Sequence, residues 1–368
     1  MSYSNDMLSP AVSHPLPSPR AAVWSGVHSG FALVDQPSPE LWPGELLVEV
    51  ELATICGSDL HTVNGDRETP VPTVLGHEAI GRIVAIGGSV TDATGDRLGI
   101  GDRITWTIGT SCGECRRCRR GIGQKCLQVR KYGHELMDDH WQLNGGFGSH
   151  IHLLAGTGLV RIPDELQAGV ATPANCATAT VTCAARRIGL DADDVVVVLG
   201  CGMLGLTAIG YARDRGVRTV IASDVDPSRR ELARRFGAAE AVGPDDLADT
   251  VGRLGADVIF ELSGNSRAVL TAFELIDLGG RIALIGSVSP APEISFEPSR
   301  YVKNLTTVVG SHNYRVDDLV EAVAFLHRTK ITELFDGLVS TPYPLPEIDR
   351  AVTAANEGLA PRVAVRMT

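Results

Sequence analysis

The sequence lacks two features that would place the protein in a membrane or on nucleic acid. It has no apolar run of the length that a membrane span requires, which argues against an integral membrane protein. It also lacks an excess of basic residues, because 44 acidic side chains outnumber 33 basic ones and leave a net charge of −11. That balance argues against a general nucleic-acid binder, which needs a basic face to meet phosphates.

The N-terminal segment has no apolar centre of the kind that a secretion signal carries. Residues 1–20 are instead rich in serine and proline, which predicts a disordered tail. The chain nevertheless contains eight cysteines. Without a secretion signal, that number favours reduced thiols and metal ligation over disulfides, and it predicts a cytoplasmic location.

The length of 368 residues predicts two domains, because a single core seldom grows so large. Over residues 23–170, short strand-like runs are broken by glycines and prolines, which indicates a β-rich domain. Over residues 177–310, helical and strand-like segments alternate. The solid apolar run Val195–Leu199 is typical of a strand buried on both faces of a parallel sheet. The last segment is expected to return to the first domain.

The segment at residues 54–61, TICGSDLH, is the one around which a reactive centre is expected. A thiol, a hydroxyl, a carboxylate and an imidazole follow a run of alternating polarity: Cys56, Ser58, Asp59 and His61. A single cysteine near a histidine is usually just packed, so the meaning of this cluster depends on two distant partners, Gly76-His77-Glu78 and Cys176. Two thiolates and one imidazole suit zinc and leave one coordination position open for chemistry.

A second group of cysteines has the spacing C-x2-C-x2-C-x7-C in a glycine-containing loop: Cys112, Cys115, Cys118 and Cys126. Four thiolates this close can surround one tetrahedral zinc, and the glycines permit the tight turns. Such a site has no open position. We therefore expect a structural role, in which the metal replaces a core that the loop is too small to build. The alternative is a set of four unrelated cysteines.

The motif G-x-G-x-x-G follows the Val195–Leu199 run and precedes a helical stretch, with these residues: Gly200, Gly202, Met203, Leu204 and Gly205. In that context the glycines permit a tight turn and the approach of a pyrophosphate to the backbone. Asp224 ends the next predicted strand, where its carboxylate would accept hydrogen bonds from a ribose and repel a 2′-phosphate, which favours NAD over NADP. The alternative for Asp224 is a helix N-cap. Arg229 and Arg230 lie near enough to leave NADP open, and the alternatives are that they cover the adenine face or are simply solvated.

Together these motifs resemble the zinc-dependent alcohol dehydrogenases of the medium-chain dehydrogenase/reductase superfamily, from about residue 20 to the C-terminus. The resemblance implies an α/β protein with a β-rich GroES-like catalytic domain at residues 21–176 and 312–368. It implies a Rossmann NAD-binding domain, with a doubly wound parallel sheet, at residues 177–311. Two zinc ions per chain are implied. Cys56, His77 and Cys176 would hold the catalytic zinc, and Glu78 would exchange with water on it.

The same resemblance implies further roles near the zinc and the cofactor. Ser58 matches the hydroxyl residue that contacts the substrate oxygen, and His61 matches the histidine that completes a proton relay. Asp59 matches the carboxylate that holds the ligand histidine in place. Arg362 resembles an arginine that contacts the cofactor pyrophosphate.

Three short stretches resemble a subgroup linked to phosphonate metabolism: KYGHE at residues 131–135, GGF at residues 145–147 and PANCATAT at residues 173–180. Basic side chains cluster near the first stretch and in the segment that returns from the nucleotide domain: Arg130, Lys131, His134, His312 and Arg315. They predict a substrate with an anionic group, plausibly a phosphonate, bound away from the zinc. A solvated face or a subunit contact is the alternative.

The resemblance implies reversible oxidation of an alcohol to an aldehyde or ketone, with hydride transfer to NAD. The implied partners are a small-molecule substrate and further copies of the chain in a dimer or tetramer, without nucleic acid or membrane. The alternatives are a polyol- or sugar-type dehydrogenase, a dehydrogenase of secondary alicyclic alcohols and, more distantly, a non-catalytic NAD-binding protein. A non-catalytic protein would have no need for Ser58 and His61 beside Cys56.

Overall fold

The computed structural model describes residues 18–252, 254–288 and 292–367. The disordered tail predicted for residues 1–20 therefore lies almost wholly outside the described residues, which include only its last three positions. Within the described ranges, no helix is long and apolar enough to cross a membrane.

The strands are mostly short and are numbered in chain order: β1 Arg20–Trp24, β2 Phe31–Asp35, β3 Leu46–Ile55, β4 Thr73–Val74, β5 Glu78–Ile86, β6 Arg103–Thr110, β7 His150–Leu153, β8 Thr157–Arg161, β9 Val195–Leu199, β10 Thr219–Ser223, β11 Glu240–Val242, β12 Val258–Glu261, β13 Arg281–Leu284, β14 Thr307–Gly310, β15 Tyr343–Pro344 and β16 Val363–Arg366.

The α-helices are concentrated in the second half of the chain: α1 Gly57–Val63, α2 Arg116–Arg119, α3 Ala168–Ala171, α4 Ala177–Ile188, α5 Met203–Asp214, α6 Pro227–Arg235, α7 Pro244–Val251, α8 Ser266–Leu275, α9 Pro298–Lys303, α10 Val316–Arg328, α11 Thr332–Asp336 and α12 Ile348–Asn356. Short 3-10 turns lie among them: Gly123–Lys125, Thr172–Asn175 and Leu345–Glu347.

The first domain is built on antiparallel sheets. A seven-stranded sheet has the order β15-β16-β3-β5-β6-β8, with β7 paired to β3, and a three-stranded sheet has the order β2-β1-β4. The long strand β3 pairs with β5, β7 and β16, so it lies at the centre of this domain. Because β16 pairs with β3, the C-terminal segment lies in the sheet that the N-terminal half begins.

The second domain contains a six-stranded parallel sheet with the order β11-β10-β9-β12-β13-β14. The order of the strands reverses between β9 and β12, because β10 and β11 follow on one side and β13 and β14 on the other. A crevice is therefore expected at the carboxyl ends of β9 and β12. The predicted α/β class, with an antiparallel β-rich domain and a doubly wound parallel sheet, is confirmed.

The strand β9 is buried on both faces, as its unbroken apolar sequence predicts. Val196 and Val198 belong to the cluster that contains the helices α4 and α5, while Val197 packs in a separate cluster with α7 and α8. The first cluster also includes Leu52 and Ile80 of the antiparallel sheet. The two domains therefore share a core, which fixes the crevice of the parallel sheet against the end of β3.

Candidate active site and metal centres

The pairing of β3 with β5 brings the first two predicted zinc ligands together. Thr54 and Glu78 are partners in this ladder, so Cys56 and His77 lie just beyond the paired ends of their strands. The carboxylate of Asp59 accepts a hydrogen bond of 2.8 Å from the Cys56 N–H, which holds the turn from β3 into α1. The local sequence thus fixes the direction in which the Cys56 thiol points.

The third ligand, Cys176, lies where a 3-10 turn meets α4. The side chain of the preceding residue, Asn175, accepts a hydrogen bond of 3.3 Å from the Ala79 N–H, which ties this junction to β5. The Asn175 carbonyl also accepts a hydrogen bond from the Tyr314 hydroxyl. The segments before and after the parallel sheet therefore both position Cys176.

The three side chains converge on one point. The Cys56 and Cys176 sulfurs are 3.7 Å apart, and the Cys176 sulfur lies 3.5 Å from His77 Nε2. All three ligand atoms lie within 4.8 Å of one another. Two thiolates about 2.3 Å and an imidazole about 2.0 Å from a tetrahedral zinc would have similar separations. This donor set and its spacing fit zinc with one position left open.

Charged neighbours set the protonation of these ligands. The pKa of Cys56 lies well below its usual value because it accepts a hydrogen bond from Cys176 and lies near the Arg362 guanidinium. Burial opposes a charged His77 imidazole, but the Asp59 carboxylate outweighs burial and raises the pKa of His77. His77 Nδ1 lies 3.3 Å from Asp59 Oδ1, which leaves Nε2 directed towards the sulfurs.

The four cysteines of the loop also converge. Four of the distances between their sulfurs lie from 3.5 to 4.0 Å, whereas sulfurs about 2.3 Å from a tetrahedral zinc are separated by roughly 3.8 Å. Backbone N–H groups point at the sulfurs: Cys115 N–H lies 3.3 Å from Cys112 and Gln128 N–H 3.3 Å from Cys126. Similar contacts from Leu127 and Cys118 lower the pKa of Cys115 to about 6. The loop therefore fits a closed zinc site.

The glycine motif forms the turn between β9 and α5. Gly200 has a φ of +94°, and a Cβ on Gly205 would lie 1.9 Å from the Gly200 carbonyl oxygen, so each position requires glycine. A Cβ on Gly202 would meet nothing within 4 Å, which leaves this face open to a ligand. Met203 and Leu204 begin α5, whose N-terminal N–H groups suit a pyrophosphate.

Asp224 lies directly beyond β10 and is buried beside the same turn. Its carboxylate accepts a hydrogen bond of 2.7 Å from the Cys201 N–H and one of 2.9 Å from the Asp226 N–H. The Arg229 guanidinium lies 4.0 Å from it. The carboxylate that the sequence predicts for ribose binding is thus held against the glycine motif. The N-cap role belongs instead to Asp226, which caps α6.

Comparisons with known proteins agree with this geometry. The chain matches the family model of the alcohol dehydrogenase GroES-like domain over residues 42–164 and that of the zinc-binding dehydrogenases over residues 204–328. It is 30% identical over 343 residues to an L-threonine 3-dehydrogenase of Rhizobium etli, covering 86% of this chain and 94% of that protein. The chain belongs to the zinc-dependent alcohol dehydrogenases. This family uses zinc and NAD(H) in the oxidation of alcohols.

Two further relatives support the assignment. An L-threonine 3-dehydrogenase of Anaeromyxobacter dehalogenans is 34% identical over 272 residues, which cover 70% of this chain and 73% of that protein. The crystal structure of an alcohol dehydrogenase from Thermotoga maritima superposes with a TM-score of 0.90 at 28% identity, covering 95% of this chain and 99% of that one. The alcohol dehydrogenase architecture therefore extends over nearly the whole chain.

Glu78 and Arg362 do not lie at the positions expected from the sequence, which were the catalytic zinc and the cofactor pyrophosphate. Glu78 is not among the converging metal-ligating atoms of the described residues, because Thr54 and Arg362 hold its Oε2 at 2.7 and 2.6 Å. Arg362, expected at the cofactor pyrophosphate, is buried in this ion pair, and its Nη2 lies 3.7 Å from the Cys56 sulfur. The charge of Arg362 thus acts on Glu78 and on the first thiolate.

Ser58 and His61 occupy the same face of α1, one turn apart. The Ser58 hydroxyl lies 3.4 Å from His77 Nε2, beside the ligand atom that would face the metal. His61 is half-exposed, and its Nδ1 lies 3.2 Å from Asp66 Oδ2. The two residues therefore lead from the metal centre to solvent.

The predicted basic cluster divides into two groups. The first consists of the arginines that pair with carboxylates, Arg130 and Arg315, and the second of His134, Lys131 and His312. Arg130 is engaged by Glu135 and Asp138, at 2.6 and 2.9 Å, and Arg315 is paired with Asp317. His134, in contrast, is half-buried, and its ring centroid lies 5.0 Å from that of His77. Burial lowers the pKa of Lys131, and Arg67, a residue that the sequence did not single out, lowers it further.

His312 lies at the edge of this second group. It forms a short hydrogen bond with the Lys125 ammonium, and its pKa falls to about 4 because of burial and the nearby Lys125, Lys131 and Arg67. The positive charges of Lys125, Lys131 and Arg67 therefore lie on the side of the catalytic centre where His134 lies.

One buried carboxylate beside the glycine motif was not predicted from the sequence. Glu261 is fully buried at the end of β12, where its Oε1 accepts hydrogen bonds of 2.8 Å from the Ser263 and Gly264 N–H groups. Ser263 lies against Gly200, so this carboxylate shapes the opposite wall of the crevice. The available signal was a charged residue that closes the otherwise apolar strand VIFE.

Proposed function

We propose that this enzyme oxidises a small alcohol that carries an anionic group close to the hydroxyl, with NAD as the hydride acceptor. The observation that supports this substrate class is the group of positive charges beside the catalytic ligands, which includes Lys131 and Arg67. Lys131 is partly buried, and an anion would relieve the mutual repulsion of these cations. The relatives named L-threonine 3-dehydrogenase fit this class, because threonine has a carboxylate next to its hydroxyl-bearing side chain.

In this proposal Cys56, His77 and Cys176 hold the catalytic zinc. Zinc bound by this donor set supplies a Lewis acid that lowers the pKa of an alcohol hydroxyl. The Asp59 carboxylate, whose Oδ1 lies 3.3 Å from His77 Nδ1, would favour the His77 tautomer that carries its proton on Nδ1 and presents Nε2 to the metal. Arg362 offsets the negative charge of Cys56 and Glu78, so two thiolates and a carboxylate can remain close together.

The hydroxyl of Ser58 would take the proton from the substrate. Its position beside His77 Nε2 places it next to the open side of the ligand cluster. His61 would pass the proton to solvent, since it lies one helical turn further along α1 and is half-exposed. The glycine motif and Asp224 would hold NAD across the crevice, and the Asp224 carboxylate would accept hydrogen bonds from the ribose hydroxyls.

The substrate class is tested by comparing specificity constants, kcat/KM, for L-threonine, a hydroxyalkylphosphonate and an uncharged secondary alcohol. We expect at least one anionic substrate to exceed the neutral alcohol by about tenfold or more, as one charge-assisted contact allows. Lys131→Ala should remove most of that preference and leave the neutral alcohol nearly unaffected. Lys330→Ala, a lysine exposed after α10, serves as the matched control.

The outcomes separate the parts of the proposal. An equal or better rate with the neutral alcohol in the wild type would contradict the anionic class. If Lys131→Ala keeps the preference for the anionic substrate, the anionic substrate class stands, but Lys131 is not the residue that binds the anion. Turnover of L-threonine without turnover of the phosphonate would identify the anionic group of the substrate as a carboxylate. The reverse result would identify it as a phosphonate and place the enzyme in the phosphonate-linked subgroup.

We also propose that the enzyme is a homo-oligomer. The strand β14 ends the order of the parallel sheet, and apolar side chains on and near it are exposed: Val302, Leu305 and Val308. An unpaired edge with apolar neighbours suits pairing with the same strand of a second copy. Light scattering should give a mass of at least twice the 39.0 kDa of one chain, and a monomer would contradict the proposal. The cytoplasmic location stays a prediction.

A further inference from the structure

One more group of metal-ligating side chains converges in the part of the chain that the structure describes: Glu45, His140 and His152. His152 Nε2 lies 3.0 Å from Glu45 Oε2, and His140 Nε2 lies 3.2 Å from each oxygen of the same carboxylate. Neither the cysteine-containing centres nor the cofactor crevice includes these residues. Their separation by up to 107 positions in the chain explains why no sequence motif indicates them.

Strand pairing holds the three side chains together. Glu45 immediately precedes β3, and His152 lies in β7, which pairs with β3 through Leu47. The segment that contains His140 is joined to β7 by two hydrogen bonds. The His152 N–H donates to the Leu143 carbonyl at 2.9 Å, and the Trp141 indole N–H donates to the His152 carbonyl at 2.8 Å. Three separate segments thus present one preorganised set of ligand atoms.

The protonation states also suit a metal. Burial pushes the pKa of Glu45 upwards, but hydrogen bonds from the Trp42 N–H and from the two imidazoles outweigh it, so the pKa lies below its usual value. Burial lowers the pKa of His152, and the Glu45 carboxylate offsets this only in part. The Glu45 carboxylate contacts both imidazoles, at 3.0 and 3.2 Å, and this convergence of donor atoms is what suits a divalent cation.

The group is reached from one side only. The side chains of Glu45 and His152 are 4% and 0% exposed, whereas that of His140 is 25% exposed. The Trp42 indole stacks on the His140 ring, with centroids 3.6 Å apart and planes inclined by 16°. A cavity of about 280 Å³ lies on this side and is lined by both rings. An ion would therefore approach the group past His140, the one of the three residues that lines the cavity.

We propose that Glu45, His140 and His152 bind a divalent transition-metal ion, most simply Zn²⁺. Two imidazoles and one carboxylate are donors that zinc, cobalt and nickel prefer, whereas magnesium and calcium prefer oxygen alone. Ligand atoms about 2.1 Å from a tetrahedral zinc lie roughly 3.4 Å apart, so small shifts from the observed 3.0 and 3.2 Å are sufficient. The bound ion would join the beginning of β3 to β7 and to the His140 segment.

The test measures zinc binding to the holoenzyme in which both cysteine centres are loaded. Dialysed enzyme is titrated with Zn²⁺, and bound metal is measured by elemental analysis after removal of free ion. We expect a further equivalent beyond the two that the cysteine centres hold. His140→Gln should weaken this further binding at least about tenfold, since one ligand of three is lost. His140 is the most exposed of the three ligands, so its substitution should disturb the fold least.

A second readout uses the stacked indole. Ni²⁺, which quenches nearby fluorophores, should lower the tryptophan fluorescence of the wild type, because the Trp42 indole stacks on His140 and the Trp141 indole donates to the His152 carbonyl. The same ion should have much less effect on His140→Gln. The matched control is His327→Gln, because His327 forms an exposed pair with Glu165, 2.9 Å apart, that offers a single imidazole. This control should bind the further zinc as the wild type does.

Several results would overturn the proposal. The absence of a further equivalent in the wild type would leave Glu45 and the histidines as a buried hydrogen-bonded group without a metal. A further equivalent that His140→Gln binds as tightly as the wild type would place the ion elsewhere. Equal loss in His140→Gln and His327→Gln would indicate nonspecific binding. Circular dichroism of each variant shows whether the fold is retained.

Discussion

The two cysteine centres of this enzyme differ in how the chain assembles them. The four ligands of the loop centre lie within residues 112–126 and receive hydrogen bonds from the backbone of the same loop. Three of them are partly exposed, and Cys126 is buried. The ligands of the catalytic centre span 120 residues from Cys56 to Cys176 and are held by strand pairing and by a shared core. We therefore expect the loop to depend on a metal for its shape, whereas the catalytic cluster depends on the fold.

This difference has consequences for charge and for access. At the catalytic centre, Arg362, Glu78 and Asp59 surround the ligands with buried charges that adjust their pKa values. At the loop centre, neutral backbone N–H groups contact the sulfurs directly. A closed set of four thiolates therefore serves stability, while an open set of three ligands, with tuned neighbours, serves chemistry. Loss of the loop zinc should therefore affect folding, and loss of the catalytic zinc should affect activity.

The largest effect is expected for Cys112→Ser. A structural zinc site contributes on the order of 10 kcal/mol to the folding of a small metal-dependent unit, which is comparable to the stability of a whole domain. We expect low soluble yield and a melting temperature many degrees below that of the wild type, measured by calorimetry. A melting temperature within a degree or two of the wild type would show that the loop does not need its metal.

Cys56→Ser should give the complementary result. The protein should fold and melt close to the wild type, because strand pairing and the shared core remain. Its kcat/KM should fall by roughly a thousandfold, since the Lewis acid is lost or misplaced. Insoluble Cys56→Ser protein would remove the distinction between the two centres, and activity near the wild-type value would refute the assignment of Cys56.

Asp59→Asn sharpens the comparison at a single atom. Asparagine can still accept the hydrogen bond from the Cys56 N–H, so the turn should persist, but the charge that orients His77 is removed. We expect a loss of about ten- to a hundredfold in zinc affinity or in kcat/KM, the usual effect of changing a carboxylate that supports a ligand histidine. Zinc binding and turnover that both match the wild type would show that the Asp59 charge is not needed.

The smallest effect is expected for Asp224→Ala, which lies outside both metal centres. Removal of the ribose acceptor should raise the KM for NAD by about tenfold and narrow the advantage of NAD over NADP. Initial rates at varied concentrations of each cofactor measure both quantities, and the zinc content should not change. A wild type that already prefers NADP would refute the role given to Asp224.

The extent to which the sequence predicts the molecule follows the same division between local and long-range contacts. The cysteine loop and the turn at Gly200 depend on residues close in the chain, so spacing indicates them. The clustering of Cys56, His77 and Cys176 was predicted from their chemistry as zinc ligands and from the family resemblance, and their spacing does not indicate it. It depends on the pairing of β3 with β5 and on the junction before α4.

Side-chain partners over long distances were the least predictable feature. Arg362 and Glu78 are 284 residues apart in the chain, and their ion pair follows from the return of β16 to β3. The basic residues near position 131 could be counted, but only the structure distinguishes Arg130, which two carboxylates engage, from Lys131. The group around Glu45 has no local pattern at all.

The most direct test of the division between the two centres is a stepwise removal of zinc from the wild type by a chelator. Zinc content, alcohol oxidation with NAD and melting temperature are measured on the same samples. We expect activity to fall in proportion to the first equivalent released from the cysteine centres, at nearly constant melting temperature, which should fall only with the second. Full activity in enzyme that retains no zinc would contradict the assignment of Cys56, His77 and Cys176 as the catalytic centre.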